Sequence, residues 1–147
     1  MIVDKILMEL GDFGGINIMI KLKDILNEFI TKAELSQVEQ KLDTLFNSVG
    51  MDVEFTKHFF DRLNDKRNGK DIEPDELLSL YTKTYKKYGN KLPNWKDNSE
   101  ALIHDYNNDI NVPFVLNYNK KTQELEMIAK TIMRKKNFKT FGQTLKV

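Results

Sequence analysis

The spacing of apolar residues predicts a chain that is helical in its first two thirds and extended at its end. From Thr31 to Gly50 the apolar residues recur three and four positions apart, as they do on the buried face of an amphipathic helix. Thr31 and Glu34 have the spacing of a capping box, and glycine often ends a helix, so both ends of this one are marked. Its predicted apolar stripe consists of Leu35, Val38, Leu42, Leu45, Phe46 and Val49.

Two more helices are predicted after this one. A short extended piece, 51–55, precedes Thr56, which can cap a helix that closes at Asn68 and Gly69. Pro74 then suits the first turn of a helix that ends at Gly89. The apolar sides of the two helices are Phe55, Phe59, Phe60 and Leu63, and then Leu77, Leu78, Tyr81, Tyr85 and Tyr88.

The last third of the chain is predicted to be extended. Residues 91–111 have the composition of a loop, with a short helix around 99–106 that buries Tyr106 and exposes His104, to which we assign no role. Strands follow at 112–118, 124–134 and 141–147, with a turn at 119–122. Alternation along the second strand places Lys130 and Arg134 on the same face.

These elements predict an α+β fold, in which N-terminal helices precede a small antiparallel C-terminal sheet of three to four strands. Residues 31–147 are predicted to form a single domain. Residues 1–30 form an N-terminal amphipathic segment, in which glycines at 11–15 separate two short amphipathic stretches. The simplest interpretation is that these are two helices packed on the domain.

Composition limits the chemistry. The chain has no cysteine and only two histidines, His58 and His104, so a site for a divalent ion would need carboxylates alone. We predict no metal site and no cofactor. No apolar run approaches the roughly 20 residues that a membrane-spanning helix needs, and no membrane partner is predicted.

The net charge of +1 conceals an uneven distribution. Residues 112–147 carry eight basic and two acidic groups, a local balance of +6, whereas residues 1–49 carry −3 and residues 50–111 carry −2. This excess predicts an anionic partner such as RNA or another nucleic acid. His58 and Arg62 lie one helical turn apart, where they could transfer a proton and hold a phosphate, or could simply form a solvated face.

One resemblance concerns the N-terminal segment. The stretch MIKLKDILNEF, 19–29, resembles the amphipathic N-terminal peptides of head-packaged proteins in T-even-like tailed phages, which end in a Leu/Ile-x-Glu cleavage motif. Leu26, Asn27 and Glu28 match that motif. Such a peptide normally opens the chain, whereas here residues precede Met19. The resemblance implies a capsid-targeting peptide and a protein in the interior of the phage head.

A second resemblance concerns residues 53–147. Their order, a His/Arg helix, another helix and then basic strands, is similar to the small nuclease fold of the barnase, EndoU, colicin and RelE groups. This resemblance implies metal-free RNA cleavage. His58 would then transfer the proton, Arg62, Lys130 and Arg134 would hold phosphate, and Thr140 would donate a hydrogen bond. The sheet half offers no second histidine in this reading, so Lys130 would have to replace it.

The whole chain also resembles a family of small uncharacterised proteins of T-even-like marine phages, through AELSQVEQKLDTLF, FTKHFFDRLND and DINVPFVLNY. That resemblance implies a phage protein acting in the host cytoplasm, and implies no activity. Three hypotheses therefore stay open. They are an endoribonuclease, a non-enzymatic virion or nucleic-acid-binding protein, and an inhibitor that binds a host protein through the sheet edge or the helix 77–88.

Overall fold

A computed structural model describes residues 30–138 and 142–147. Within them lie three α-helices, α1 (Lys32–Phe46), α2 (Lys57–Leu63) and α3 (Pro74–Tyr88). The six strands described are β1 (Met51–Phe55), β2 (Glu100–Asp105), β3 (Ile110–Asn119), β4 (Glu124–Ala129), β5 (Met133–Arg134) and β6 (Gln143–Lys146). The N-terminal segment and Thr140 lie outside the described residues, so what was predicted for them stays a prediction.

The α+β class is confirmed, but the predicted small antiparallel sheet is wrong in size and in strand direction. The sheet has six strands in the order β1-β4-β3-β2-β6, with β5 paired to the start of β3. The pairs β1–β4 and β2–β6 are parallel, and the other pairs are antiparallel. A parallel pair joins segments that are distant in sequence, so no local turn pattern announces it.

The predicted helix around 99–106 is in fact β2. β2 lies between β3 and β6. Its consecutive residues Leu102 and Ile103 point to opposite faces of the sheet, and both are buried, so β2 is covered on both faces there. A short, continuous apolar run is compatible with either a helix or a buried strand, so its spacing alone does not decide. The correction moves His104 into the sheet and leaves Tyr106, predicted to be buried, 55% exposed in the turn after β2.

The predicted strand 124–134 is shorter than expected. Leu125, Met127 and Ala129 do face the core, but β4 ends at Ala129. Lys130 N–H donates to the carbonyl of Pro113, and proline has no N–H to return the bond. The carbonyl of Lys130 accepts from the Thr56 hydroxyl instead, at 3.1 Å. The chain then leaves the ladder and pairs again only at β5, so Lys130 and Arg134 do not share a strand.

The helix predictions are largely confirmed. The capping box of Thr31 and Glu34 starts α1, and Gly50, with a φ of 77°, ends the 3₁₀ turn that follows it. Thr56 caps α2, which ends at Leu63, earlier than predicted. A separate 3₁₀ turn, Lys66–Asn68, follows it. The buried face of α3 is rotated from the predicted one, and consists of Leu77, Leu80, Tyr81 and Thr84.

The core is formed where α1 and α3 pack together and α1 packs against β1. Aromatic rings fill this junction, with Tyr81 edge-on to both Phe46 and Phe55. Asp43 of α1 accepts the Val53 N–H at 2.7 Å, so it satisfies a donor on the outer edge of the sheet. In the part of the chain that the structure describes, no helix has the length and apolar character needed to cross a membrane.

Candidate functional site

His58 and Arg62 lie on α2 and are in contact. Arg62 Nε donates to His58 Nε2 at 3.4 Å, and Arg62 Nη1 binds Asp65 Oδ2 at 3.0 Å. His58 is exposed, whereas Arg62 is half-buried. The helix therefore brings together the predicted proton-transfer group and one predicted phosphate ligand, but the arginine already has a carboxylate partner.

Lys130 projects from the loop after β4 and pairs with an acid. Its Nζ lies 2.8 Å from Glu100 Oε1, and both side chains are at least half exposed. Such a surface pair is weak, at about 0–1 kcal/mol, so Lys130 can exchange its partner. Among the described residues no hydrogen bond or ion pair joins Lys130 to His58 or Arg62.

Arg134 is engaged by the fold itself. Its Nη2 donates to Glu76 Oε1 at 2.8 Å and to the Asp71 carbonyl at 2.9 Å. Its Nε donates to the Lys70 carbonyl at 3.1 Å, and Nη1 donates to the Asn108 carbonyl at 2.9 Å. The side chain is only 12% exposed. With its donors directed at protein acceptors, this guanidinium is a structural clamp.

The electrostatics of Glu76 reflect this clamp. Burial by itself raises the pKa of a carboxyl group. The hydrogen bonds from Arg134 and from the Glu73 backbone outweigh burial and hold the pKa of Glu76 below its usual range. Glu76 therefore stays ionised beside Arg134, and the two charges neutralise each other.

The hydrogen bonds of Arg134 bring together exposed cations from two segments that are distant in sequence. Arg134 N–H donates to Asn68 Oδ1 at 3.1 Å, and the 3₁₀ turn that contains Asn68 contacts β5. Asn111 Nδ2 donates to the Lys135 carbonyl at 2.9 Å and fixes the chain just after the clamp. We call the exposed cations of these two segments the basic patch: Lys66, Arg67, Lys70, Lys135 and Lys136.

A second cluster surrounds His104, for which no role was predicted. His104 Nδ1 lies 2.7 Å from Asn111 Oδ1. The Asn111 amide nitrogen donates to the carbonyls of Met133 and Lys135, so its oxygen is the acceptor toward the imidazole. His104 therefore carries a proton on Nδ1, and Nε2 is the nitrogen left for other partners.

Tyr106 lies beside His104 in the turn between β2 and β3. The two rings meet edge-on, with centroids 4.8 Å apart and an angle of 82° between planes. Lys146 Nζ lies 5.8 Å from the centroid of the Tyr106 ring. A hydrogen bond with the Tyr106 hydroxyl raises the pKa of Lys146. An exposed tyrosine is thus flanked by a histidine and a lysine.

Carboxylates form a third cluster at the other edge of the sheet. Asp52, Glu54 and Glu126 each place an oxygen within 4.8 Å of the others, a spacing that suits a hard cation such as Mg²⁺ or Ca²⁺. No metal site was predicted, and that stays a prediction; the Asp-Val-Glu alternation of β1 was the signal in the sequence that could have pointed to these carboxylates. Burial and then the neighbouring Asp52 raise the pKa of Glu54 to about 7.

Asp43 of α1 extends this acidic cluster. Burial, followed by a hydrogen bond with Asp52, raises the pKa of Asp43 to about 7, although the Val53 N–H bond opposes the shift. Glu39 of the same helix adds further repulsion. Asp43 and Glu54 therefore keep their protons up to about pH 7, because ionising them would add negative charge beside other carboxylates.

Comparisons with known proteins add no assignment, because no family model, no curated protein and no solved structure matches this chain. The resemblances to phage proteins and to the nuclease fold stay predictions.

Replacing Arg134 tests its structural role. We expect Arg134→Met to lower the free energy of unfolding by about 3 kcal/mol, since it leaves the Glu76 carboxylate, only 13% exposed, without its cation. Arg67→Met, which removes an arginine that is 66% exposed, should cost under about 0.5 kcal/mol. Urea denaturation measures both. If Arg134→Met is as stable as Arg67→Met, the clamp does not hold the fold.

The acidic cluster predicts a pH dependence of stability. Between about pH 4 and 7 the unfolded chain loses the Asp43 and Glu54 protons while the folded protein keeps them, so these groups lower the free energy of unfolding as pH rises through this window. Glu54→Gln should therefore raise Tm by a few degrees at pH 8 and hardly change it at pH 4. The control Asp61→Asn removes one exposed charge, and an equal gain from it would contradict the cluster's role.

Proposed function

We propose that this protein binds nucleic acid by placing the basic patch against the phosphate backbone. The observation that carries the proposal is that Asn68 and Arg134 lock two basic segments together while leaving the side chains of those segments exposed. Positioned cations bind phosphates with less loss of side-chain and backbone entropy than cations on a loose tail.

The acids closest to the patch in the chain are partly neutralised. Asp65 binds both Arg62 and Arg67, with N–O distances of 3.0 and 2.8 Å. Glu76 is paired with Arg134 at 2.8 Å. Asp71 and Glu73 are exposed where α3 begins, so they limit the patch on that side. The side chains of Lys66, Lys70, Lys135 and Lys136 form no ion pair with another described residue.

This function corresponds to the non-enzymatic hypothesis, with a changed set of residues. The sequence singled out Lys130 and Arg134 as phosphate ligands. Lys130 keeps that proposed role, since its pair with Glu100 is exposed. Arg134 instead supports the lysines around it. A phage source, a location in the host cytoplasm or phage head, and host-protein binding stay predictions.

The binding proposal is tested by reversing charge within the patch. We expect Lys70→Glu/Lys135→Glu to weaken binding of a 20-nucleotide RNA at least tenfold at low salt, because it removes two phosphate contacts and adds repulsion. The slope of log affinity against log salt should become shallower by about 2. Fluorescence anisotropy over a range of salt concentrations measures both quantities.

The chain offers a matched control in Lys120 and Lys121. They belong to the same basic stretch but lie in the turn at the opposite end of β3. Ten residues of strand, about 30 Å, separate that turn from the β5 end. Lys120→Glu/Lys121→Glu should bind nearly as well as the wild type. Equal weakening by both double variants, or affinity that does not depend on salt, would contradict the proposed patch.

RNA cleavage is a second candidate function, and the contact between His58 and Arg62 favours it. A neutral imidazole beside a guanidinium can take the proton of a ribose 2′-hydroxyl while the cation attracts the adjacent phosphate. If so, the protein cleaves RNA at pH 7 without added metal, and His58→Ala cleaves at least a hundredfold more slowly while binding equally well. Gel analysis of labelled RNA measures the rate. An inactive wild type would exclude cleavage and leave the binding proposal intact.

A further inference from the structure

We propose that Tyr106 stacks on an unpaired base, so that the protein prefers single-stranded nucleic acid to a duplex. This inference rests on the function proposed above and names the form of nucleic acid that the surface selects.

The first observation is the exposure of Tyr106. More than half of this side chain, 55%, is open to solvent at the first position of the β2–β3 turn. Among the described residues only Tyr118, 45% exposed, is a comparably exposed large hydrophobic side chain. Aromatic rings interleaved with cations are what single-strand-binding surfaces use, because every base has a face on which an aromatic ring can stack.

The second observation is that the Tyr106 turn is fastened to the basic patch. Arg134 Nη1 donates to the Asn108 carbonyl in this turn at 2.9 Å. Asn111, which follows the turn, donates to the carbonyls of Met133 and Lys135. The ring is therefore held on the same framework as the lysines that bind phosphate, so one strand can contact both.

Further cations lie beside the tyrosine itself. Lys146 Nζ is 5.8 Å from the ring centroid, and Lys87 Nζ donates to the Lys146 carbonyl at 2.8 Å. A nucleic-acid strand whose base stacks on Tyr106 would thus have ammonium groups near its phosphates. This arrangement matches the alternation of base and phosphate along a single strand.

His104 adds a fixed polar group to the same place. Its bond with Asn111 and its edge-on contact with Tyr106 hold the imidazole in position. Its Nε2 has no hydrogen-bond partner among the described residues, and a neutral Nε2 is an acceptor. It can accept from a base amino group or from a ribose hydroxyl.

The preference for single strands follows from the stacking itself. A base paired within a duplex is already stacked on both faces, so it offers no face to the tyrosine.

The experiment compares a labelled 12-nucleotide oligo-dT with a labelled 12-base-pair duplex by fluorescence anisotropy. We expect the wild type to bind the single strand more tightly. Tyr106→Ala should weaken single-strand binding roughly five- to a hundredfold and leave duplex binding unchanged. Tyr106→Phe keeps the ring and should bind like the wild type. Tyr118→Ala removes the other exposed tyrosine, near the end of β3, and should also bind like the wild type.

The outcomes separate this inference from the proposed function. If the wild type binds neither ligand, both are overturned. If it binds both ligands and Tyr106→Ala changes neither affinity, or weakens both equally, only base stacking is overturned. Circular dichroism during a thermal melt checks that Tyr106→Ala is folded. If Tyr106→Ala does not fold, Tyr106→Leu is tested in its place. Leucine keeps apolar volume without an aromatic face, so this variant should also lose affinity for the single strand alone.

Discussion

The hydrogen bonds of Arg134 are the interaction on which one whole end of this protein depends. Through its side chain and its own N–H, the residue binds the loop after the 3₁₀ turn, the first turn of α3, the β2–β3 turn and Asn68. The partners fall in two stretches, 68–76 and the turn at 106–109, and both are distant in sequence from Arg134. A rigid, planar group with five N–H donors is well suited to join them. The exposed lysines lie near each other because of this group.

Two buried asparagines complete the same framework. Asn68 and Asn111 are 7% and 0% exposed, and both bind backbone groups on neighbouring segments. Buried polar groups of this kind stabilise only when each finds its partners. They also fix geometry more narrowly than apolar packing does. A surface that reads the spacing of phosphates and bases benefits from such fixed geometry.

Charge is separated across the sheet. The acidic cluster lies on the edge strand β1 and its neighbour β4, whereas the basic patch lies around β5, which pairs with the start of β3. The net charge of +1 therefore conceals acidic and basic surfaces in different parts of the molecule. Such a dipolar protein orients itself toward a polyanion before contact.

The sequence predicted the helix starts, which depend on neighbouring residues. It did not predict the strand pairing, which depends on contacts between residues distant in sequence. Thr31 with Glu34, Thr56 and Pro74 correctly marked helix starts, because caps depend on neighbours within a few residues. The parallel pairing of β1 with β4 has no local signature, and the apolar run of β2 suited a helix equally well. The number of charges also could not show that Arg134 is hydrogen-bonded within the fold whereas its neighbour Lys135 is exposed. That difference depends on Glu76, 58 residues away.

If Arg134 assembles a nucleic-acid-binding surface from two segments, a bound oligonucleotide contacts both segments at once. A titration of the ¹⁵N-labelled protein with a short single-stranded oligonucleotide, followed by amide NMR spectra, measures this. We expect saturable shifts at residues 66–70, 106–109 and 135–136, and none at Lys120 and Lys121. Shifts that map instead to the β3–β4 turn, or the absence of any saturable shift, would show that the nucleic acid does not bind this surface.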